Sequence, residues 1–471
     1  MQYFSQGRFR QQVRFLQQQF LQDGNLPFSD ILSTELIKQA VTALQVGLVD
    51  CVYTPLVTLC VFLGQVLSAD HSCRAAVARL IAYRVARKQR ACSAETGAYC
   101  LARKRLPEEF FSQIARQTGR QLDANAKSSW MWKNRRVYIF DGATVSMPDT
   151  YENQQAYPQP PQQKPGLGFP LMRIAVIFSL ACGAVLDVGL CRYAGKGQSE
   201  LALLRQMWSI FQPGSIMLAD RLMCAWTELV MLKQRDVDSV CRFTSHRKAD
   251  FRRGKRLGKD DHIVTWHKPT KPRSIDRQTY NTLPESLTIR ECRVPIAQPG
   301  FRVKVVVIAT TLLDHVAYPP SELAKLYRAR WNAELDLRSL KQTLQMDVLR
   351  CKTPELVRKE LWTHILAYNL IRTIMAQAAA KHDIAPRSVS FKGTMQTLEA
   401  FQPLLELGAT DDAGRLELYH DLLDVIASHR VGDRPDRYEP RLKKRRRNFY
   451  DWLTEPRAKI KRKMAKAFTK N

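Results

Sequence analysis

Two aspartates stand where carboxylates could act together on a phosphodiester. Asp141 and Asp220 each follow a short apolar run of β character, V-Y-I-F and S-I-M-L-A, and each is followed by polar residues that do not favour a strand. Side chains at the ends of adjacent strands meet at one edge of a sheet. Phosphodiester transfer uses two divalent metals held roughly 3.5–4 Å apart, and Mg²⁺ prefers oxygen ligands. The pair therefore predicts a site for two Mg²⁺ ions, with Mn²⁺ as a substitute, although an aspartate at the end of a single strand is more often a turn residue or a helix cap than a ligand.

A third carboxylate, Glu334, lies on a helix predicted over Ser321–Met346. Tyr327, Arg330, Glu334 and Lys341 stand at offsets 0, 3, 7 and 14, and an uninterrupted helix would bring all four within an arc of about 60°. One face would then offer an acid for a metal, and a phenol, a guanidinium and an ammonium for phosphate oxygens. The alternative is an exposed face with ordinary i,i+4 ion pairs.

The elements that must position these residues follow an α/β pattern. The order is a strand at 136–140, a hairpin at 173–180 and 184–190, a helix at 198–211, a strand at 215–219, a helix at 225–234 and a strand at 239–243. A strand at 303–312 and helices at 321–346 and 354–381 come later. Strands alternating with helices in this way predict a mixed central sheet.

The composition indicates a polyanionic partner. The chain has 471 residues, with 73 Lys and Arg against 44 Asp and Glu, which gives a net charge of +29. Nucleic acid is the expected partner of such a surface. We see no signal peptide, and the apolar stretch at 51–64 is too short to span a bilayer. No membrane association is expected, and the absence of a Walker-type loop means that ATP is not implied. The 11 cysteines show no zinc-site spacing, which favours reduced thiols.

Three further regions carry candidate DNA contacts. Residues 1–130 are predicted to be helical, and a short basic helix at 94–106 carries Arg103, Lys104 and Arg105. This segment could belong to a helix-turn-helix, or it could be the solvated face of a bundle. Residues 245–300 read as a β-rich insertion that contains Trp266, and the basic tail Arg441–Asn471 includes the unbroken run Lys443–Arg447. Such a run is typical of an arm that contacts phosphates without reading sequence.

The spacing Tyr327-x2-Arg330-x3-Glu334-x6-Lys341 resembles the YREK signature of one large family of bacterial insertion-sequence transposases, the insertion-sequence-four family. Asp141 in D-G-A-T and Asp220 in L-A-D-R resemble the first two members of that family's DDE triad. The segments 195–200 and 368–372 are also similar to it. The resemblance covers roughly residues 90–450.

The resemblance implies a ribonuclease-H-like mixed-sheet catalytic core with a β-rich insertion, flanked by helical N-terminal and C-terminal regions. Five segments follow from it: 1–130, a helical DNA-binding domain; 131–244, the first part of the core; 245–300, the insertion; 301–384, the second part of the core; and 385–471, a helical region with a basic tail.

The resemblance also implies cut-and-paste transposition through a hairpin at the element's end, by a bacterial, cytoplasmic and nucleoid-associated protein. Its partners would be double-stranded DNA, as terminal inverted repeats and target, and a second copy of the chain in a homodimer on DNA. Tyr327, Arg330 and Lys341 would contact phosphates of the non-transferred strand. Trp266 is a candidate for stacking on a flipped base, although a core or surface aromatic is the alternative.

Two other functions compete with this interpretation. One is a transposase-derived DNA-binding protein without catalysis, and the other is a structure-specific nuclease on the same core. The complete triad argues against the first, because loss of one carboxylate would end metal catalysis. The YREK spacing argues against the second, since hydrolysis alone does not need that phosphate clamp.

Overall fold

The computed structural model describes residues 34–43, 52–86, 88–244, 247–296, 305–407, 412–432 and 451–468. The basic run Lys443–Arg447 lies outside the described residues. Within them, no helix combines the length and the apolar character needed to cross a membrane.

The described residues before the sheet contain five α-helices. Thr54 caps the second helix by accepting a hydrogen bond from the backbone N–H of Val57, and Pro55 occupies its first turn, where a missing N–H costs nothing. Ser72 caps the third through the N–H of Ala75. The helices are α1 (Thr34–Ala43), α2 (Pro55–Leu67), α3 (Cys73–Ala86), α4 (Gly97–Arg105) and α5 (Glu108–Ala124).

The remaining helices cover the sheet and form the C-terminal part. The longest is buried almost throughout its length and packs against α5 and α2. These helices are α6 (Tyr151–Ala156), α7 (Glu200–Gln206), α8 (Trp226–Lys233), α9 (Arg277–Asn281), α10 (Pro320–Ala329), α11 (Trp331–Arg338), α12 (Pro354–Lys381), α13 (Phe391–Leu407), α14 (Asp412–Ser428) and α15 (Arg457–Phe468).

One mixed sheet contains the nine strands found in the described residues, in the order β3-β2-β1-β4-β5-β9-β8-β7-β6. The first three strands are antiparallel, and β4 and β5 run parallel to β1. Helix α7 connects β3 to β4, and α8 connects β4 to β5. This connectivity confirms the α/β class and gives the ribonuclease-H-like strand order. The strands are β1 (Val137–Ser146), β2 (Leu171–Ser179), β3 (Val185–Arg192), β4 (Ile216–Ala219), β5 (Asp238–Arg242), β6 (Lys255–Gly258), β7 (Asp261–His267), β8 (Ser286–Pro295) and β9 (Val305–Thr310).

Strands β6 to β9 extend the same sheet. Strand β9 pairs antiparallel with β5 on one side and with β8 on the other. The β-rich segment after β5 is therefore joined edge to edge with the first five strands.

Two predicted elements differ from the structure. Strand β1 does not end at Asp141 but continues to Ser146. Pairing with β2 reaches Ser146 and keeps the residues after Asp141 extended, although their types do not favour a strand. The helix predicted over Ser321–Met346 is interrupted. Hydrogen bonds tighten to an i→i−3 pattern around Arg330, and a π-helical turn, Ser339–Thr343, follows α11. A π turn inserts about one residue into the helical repeat and is often found at functional sites.

Candidate active site

A cleft of about 940 Å³ opens at the end of the sheet where β1 and β4 finish. The structure brings six of the predicted site residues to it: Asp141, Asp220, Glu334, Tyr327, Arg330 and Lys341. The other lining residues are Gly142, Ala143, Thr144, Glu200, Arg221, Arg242, Leu337, Arg338, Gln342 and Asp347.

The register of the sheet sets Asp141 beside Asp220. The parallel pairing of β1 and β4 matches Ile139 with Leu218, so the two aspartates stand level with each other two residues further on. Asp220 follows the last residue of β4 and caps a short 3₁₀ turn, accepting a hydrogen bond of 2.8 Å from the N–H of Leu222. The strand pairing therefore fixes both backbones and leaves both carboxylates at the mouth of the cleft.

The surroundings of Asp141 raise the pKa of its carboxyl group. Burial raises its pKa to about 6, and the carboxylates of Asp220 and Glu334 add to the rise. Arg330 and the N–H of Gly142, which donates to Asp141 Oδ1 at 2.9 Å, oppose it. The protein therefore holds Asp141 where its negative charge favours a nearby cation.

Arg330 supplies positive charge at this point in the structure. Its Nη2 lies 3.0 Å from Oε1 of Glu334, and its Nη1 lies 3.7 Å from Oδ2 of Asp141. Burial acts to lower the pKa of Arg330, but Tyr327 and the two carboxylates outweigh it, so the pKa is raised. One guanidinium thus links two of the three predicted metal ligands.

This ion pair explains the present arrangement of the carboxylates. Among the described residues, no three acidic, cysteine or histidine side chains are gathered closely enough to hold a metal ion. Glu334 is directed to Arg330, and its side chain is 53% exposed at the rim. The donors themselves fit a divalent cation, because all three are carboxylates around one cleft and the buried Asp141 favours positive charge.

The phosphate-binding candidates keep their place despite the helix interruption. Tyr327 is buried against Trp331, with ring centroids 6.1 Å apart, and burial raises its pKa to about 12. Its phenol therefore stays protonated as a hydrogen-bond donor. Arg330 Nε is buried and makes no hydrogen bond within the described part of the chain. Lys341 lies in the π turn, so its side chain leaves the helix at a different angle from the one that a continuous α-helix would give. It still lines the cleft.

Two residues predicted to contact DNA, Arg103 and Trp266, lie outside this cleft and are buried in the core. Arg103 is buried at 4% exposure, stacks on Phe62 and Tyr99, and donates to thiols that include Cys73. It is a core residue in this structure, whereas its neighbours Lys104 and Arg105 are exposed.

Trp266 is also a core residue. Its ring is 4% exposed and lies beneath the guanidinium of Arg247, and its Nε1 donates to Glu291 at 2.7 Å. A base could not reach that ring in this arrangement. The structure agrees with the alternative of a core aromatic.

Glu200 is a cleft residue that the sequence interpretation did not select. It is the first residue of α7, and Arg173 pairs with its carboxylate at 3.0 Å. A Cβ added to Gly142 would lie 2.4 Å from its carboxyl carbon, so the Glu200 side chain lies directly against the backbone beside Asp141. Asp187, on β3, does not line the cleft and pairs with Arg116 on α5 at 2.6 Å.

A buried ion network ties α11 to the rest of the core. Asp336 is 1% exposed and accepts hydrogen bonds from Arg372 and, at 2.6 Å, from Arg387. Arg387 also donates to the carbonyl of Ser179 at the end of β2, and Arg372 packs on Gly183 in the β2–β3 turn. Because Asp336 is two residues after Glu334, this network positions the helix that carries the third carboxylate.

The strand order and the three carboxylates around one cleft are the arrangement expected of the DDE transposase class. Residues 132–370, about half of the chain, match the family described as the transposase DDE domain. The chain belongs to the DDE transposases, in the family of the insertion sequence IS4.

Individual relatives are similar over different lengths. The transposase InsG for insertion sequence element IS4, from Escherichia coli strain K12, is 29% identical over 355 residues, which are 73% of this chain and 75% of InsG. The transposase for insertion sequence element IS421 from Escherichia coli is 37% identical over 82 residues, 17% of this chain and 21% of that protein. A cryo-EM structure of the piggyBac transposase synaptic complex with hairpin DNA aligns with a TM-score of 0.42 and 10% identity, over 88% of this chain and 85% of that one.

Replacing Asp141 by Asn is expected to stabilise the metal-free protein at neutral pH. The folded-state pKa of about 6 lies above the ordinary 3.8, so the protonated carboxyl contributes stability below pH 4 that is lost as the pH rises through 6. Asparagine keeps the acceptor for Gly142 and cannot ionise. In urea unfolding without metal, Asp141→Asn should therefore raise the free energy of unfolding, relative to the unmodified protein, by up to about 3 kcal/mol more at pH 7.5 than at pH 4. Asp236→Asn, an exposed change at a left-handed position, is the control, and an equal effect of Asp141→Asn at both pH values would contradict the burial argument.

Proposed function

We propose that this protein catalyses cut-and-paste transposition of an insertion sequence, by metal-dependent strand cleavage, hairpin formation and strand transfer at terminal inverted repeats. The observation that carries the proposal is the convergence of Asp141, Asp220 and Glu334 on one cleft whose walls also hold Tyr327 and Lys341. The family membership supports action on DNA.

The three carboxylates would hold the divalent cations, with Mg²⁺ as the natural ion and Mn²⁺ as a substitute. Such ions supply activation of the attacking oxygen and stabilisation of the leaving oxygen. Asp141 and Asp220 are fixed by adjacent strands, whereas Glu334 stands on a helix at the rim and is held by Arg330. Glu334 is therefore the ligand that moves when the site assembles.

Arg330, Tyr327 and Lys341 would grip phosphate oxygens of the non-transferred strand. A phosphate that takes the Arg330 guanidinium would compete with its contacts to Asp141 and Glu334, because these contacts use the same donors. DNA binding would thereby release the two carboxylates. We infer a homodimer on DNA, with terminal repeats and target as substrates, and Lys104 and Arg105 as further contacts.

Replacing Lys341 by Ala is expected to leave first-strand nicking partly intact and to impair hairpin formation or resolution by about 10- to 100-fold, since one charged phosphate contact contributes roughly 1.5–3 kcal/mol. The measurement follows nicked, hairpin and resolved products on denaturing gels, with a labelled element end and Mg²⁺. Lys341→Arg keeps the charge and should recover part of the activity. Unchanged hairpin steps in the Ala variant would refute the clamp, and no cleavage by the unmodified protein on any element end would refute the function.

A further inference from the structure

Helix α15 has a strongly basic face that the catalytic cleft does not use. Six of its twelve residues are Lys or Arg. At 3.6 residues per turn, Lys459, Arg462, Lys463 and Lys466 fall within an arc of about 100°. We call these four side chains the basic face of α15. Met464, on the other side of the helix, is 54% exposed.

The carboxylate of Glu455 pairs with two lysines of this face. Glu455 lies 3.0 Å from Nζ of Lys459 and 2.6 Å from Nζ of Lys463, while the two lysines are 61% and 63% exposed. Surface pairs of this kind contribute little, about 0–1 kcal/mol. The two weak pairs with Glu455 can therefore be exchanged for contacts with a polyanion at little cost.

The helix begins at the same end of the sheet as the cleft. Pro456 packs on Gly166, where an added Cβ would lie 3.0 Å from Pro456 Cγ. The loop containing Gly166 leads into β2, whose first residue, Leu171, pairs with Ser146 at the end of β1 beyond Asp141. Helix α15 therefore starts at the end of the sheet where the cleft opens.

The cleft itself offers little net attraction for DNA. Five carboxylates and five Lys or Arg side chains line it, so their formal charges cancel. Electrostatic affinity for a duplex grows with the number of cations that displace counterions from phosphates. An exposed basic helix beside a charge-balanced cleft is suited to supply that affinity.

We propose that the basic face of α15 binds the phosphate backbone of the DNA duplex flanking the cleaved end, without reading its sequence. The proposal rests on the proposed function only in taking DNA as the polyanion. Its occupant is a duplex, and neither an anionic membrane nor a second copy of the chain.

The test compares two charge-matched variants of the full chain. One carries K459Q, R462Q and K463Q, and the other carries K127Q, K133Q and K325Q on exposed lysines at the opposite end of the sheet. Glutamine has a helix propensity close to that of lysine and arginine, and circular dichroism checks that helix content is retained. The probe is a 40-base-pair duplex of arbitrary sequence, titrated at several salt concentrations.

In the α15 variant, the negative slope of log K against log salt should become shallower by about 2–3 relative to the unmodified protein. Binding should weaken on the order of 100-fold at 0.1 M salt. The control should change the slope by less than half as much. Equal slopes for the two variants would overturn the proposal, as would an unchanged slope accompanied by loss of dimers in light scattering or of binding to phosphatidylserine vesicles.

Cleavage at saturating DNA separates this proposal from the catalytic one. The α15 variant should still cut an element end in Mg²⁺ when the DNA concentration exceeds its weakened Kd. Loss of cutting at saturation would overturn the assignment of α15 as a binding surface alone. Absence of cutting by the unmodified protein, with the slope change present, would instead refute only the catalytic function.

Discussion

Replacing Glu334 by Gln is expected to leave DNA binding within a few-fold of the unmodified protein and to reduce strand cleavage by at least about 10³-fold, the upper range for loss of one electrostatic contact in an active site. The amide keeps the size of the side chain and an acceptor for Arg330, but it lacks the negative charge that a divalent cation requires. The side chain is 53% exposed, so stability should not change. Cleavage and strand transfer of a labelled element end in Mg²⁺ measure the effect.

The matched control for this variant is Glu322→Gln. Glu322 lies on α10 and pairs with Lys325 at 2.9 Å, as Glu334 on α11 pairs with Arg330. Both changes remove one carboxylate from a helical ion pair, but only Glu334 lines the cleft. The control should cleave normally. Strand transfer by Glu334→Gln above a tenth of the normal rate would remove Glu334 from the triad.

Replacing Asp336 by Ala is expected to destabilise the protein by about 3–5 kcal/mol, because it leaves the buried guanidinium of Arg372 and the partly buried guanidinium of Arg387 without their carboxylate. The network joins α11 to α12 and to the β2–β3 turn, so cleavage should also fall at temperatures where the protein remains folded. Urea unfolding measures the first effect and product formation the second.

Asp421→Ala, an exposed change on α14, is the stability control and should stay within about 0.5 kcal/mol. Asp336→Asn keeps the shape of the side chain and one acceptor, and it should be intermediate. A loss of less than 1 kcal/mol for Asp336→Ala would show that water or other groups satisfy the two arginines.

Local sequence predicted the end of β4 and the hairpin well, because each is governed by neighbours in the chain. Asp220 follows an apolar run that forms β4, and Gly183 adopts a positive φ of 82° in the turn between β2 and β3. The spacing from Tyr327 to Lys341 identified residues that do line one cleft. These features depend on periodicity and turn chemistry, which a single sequence displays.

Other features depend on contacts between distant segments. Strand β1 passes beyond Asp141 because β2 pairs with it, and the π turn at Lys341 breaks the constant repeat that helical spacing assumes. Arg103 looks like a DNA contact in sequence but is enclosed by aromatic rings and thiols, one of them Cys351 from 248 residues away. Glu200 lines the cleft where Arg173, from β2, pairs with its carboxylate, and periodicity in the sequence does not display that contact.

The most direct test of the site is the location of bound metal. Crystals of the protein with a cleaved element end, soaked in Mn²⁺, would be measured for anomalous scattering. We expect Mn²⁺ peaks within roughly 2.5 Å of carboxylate oxygens of Asp141, Asp220 and Glu334, with Arg330 moved from Glu334 to a phosphate. Peaks elsewhere, with Glu334 still paired to Arg330 while DNA fills the cleft, would contradict the assignment.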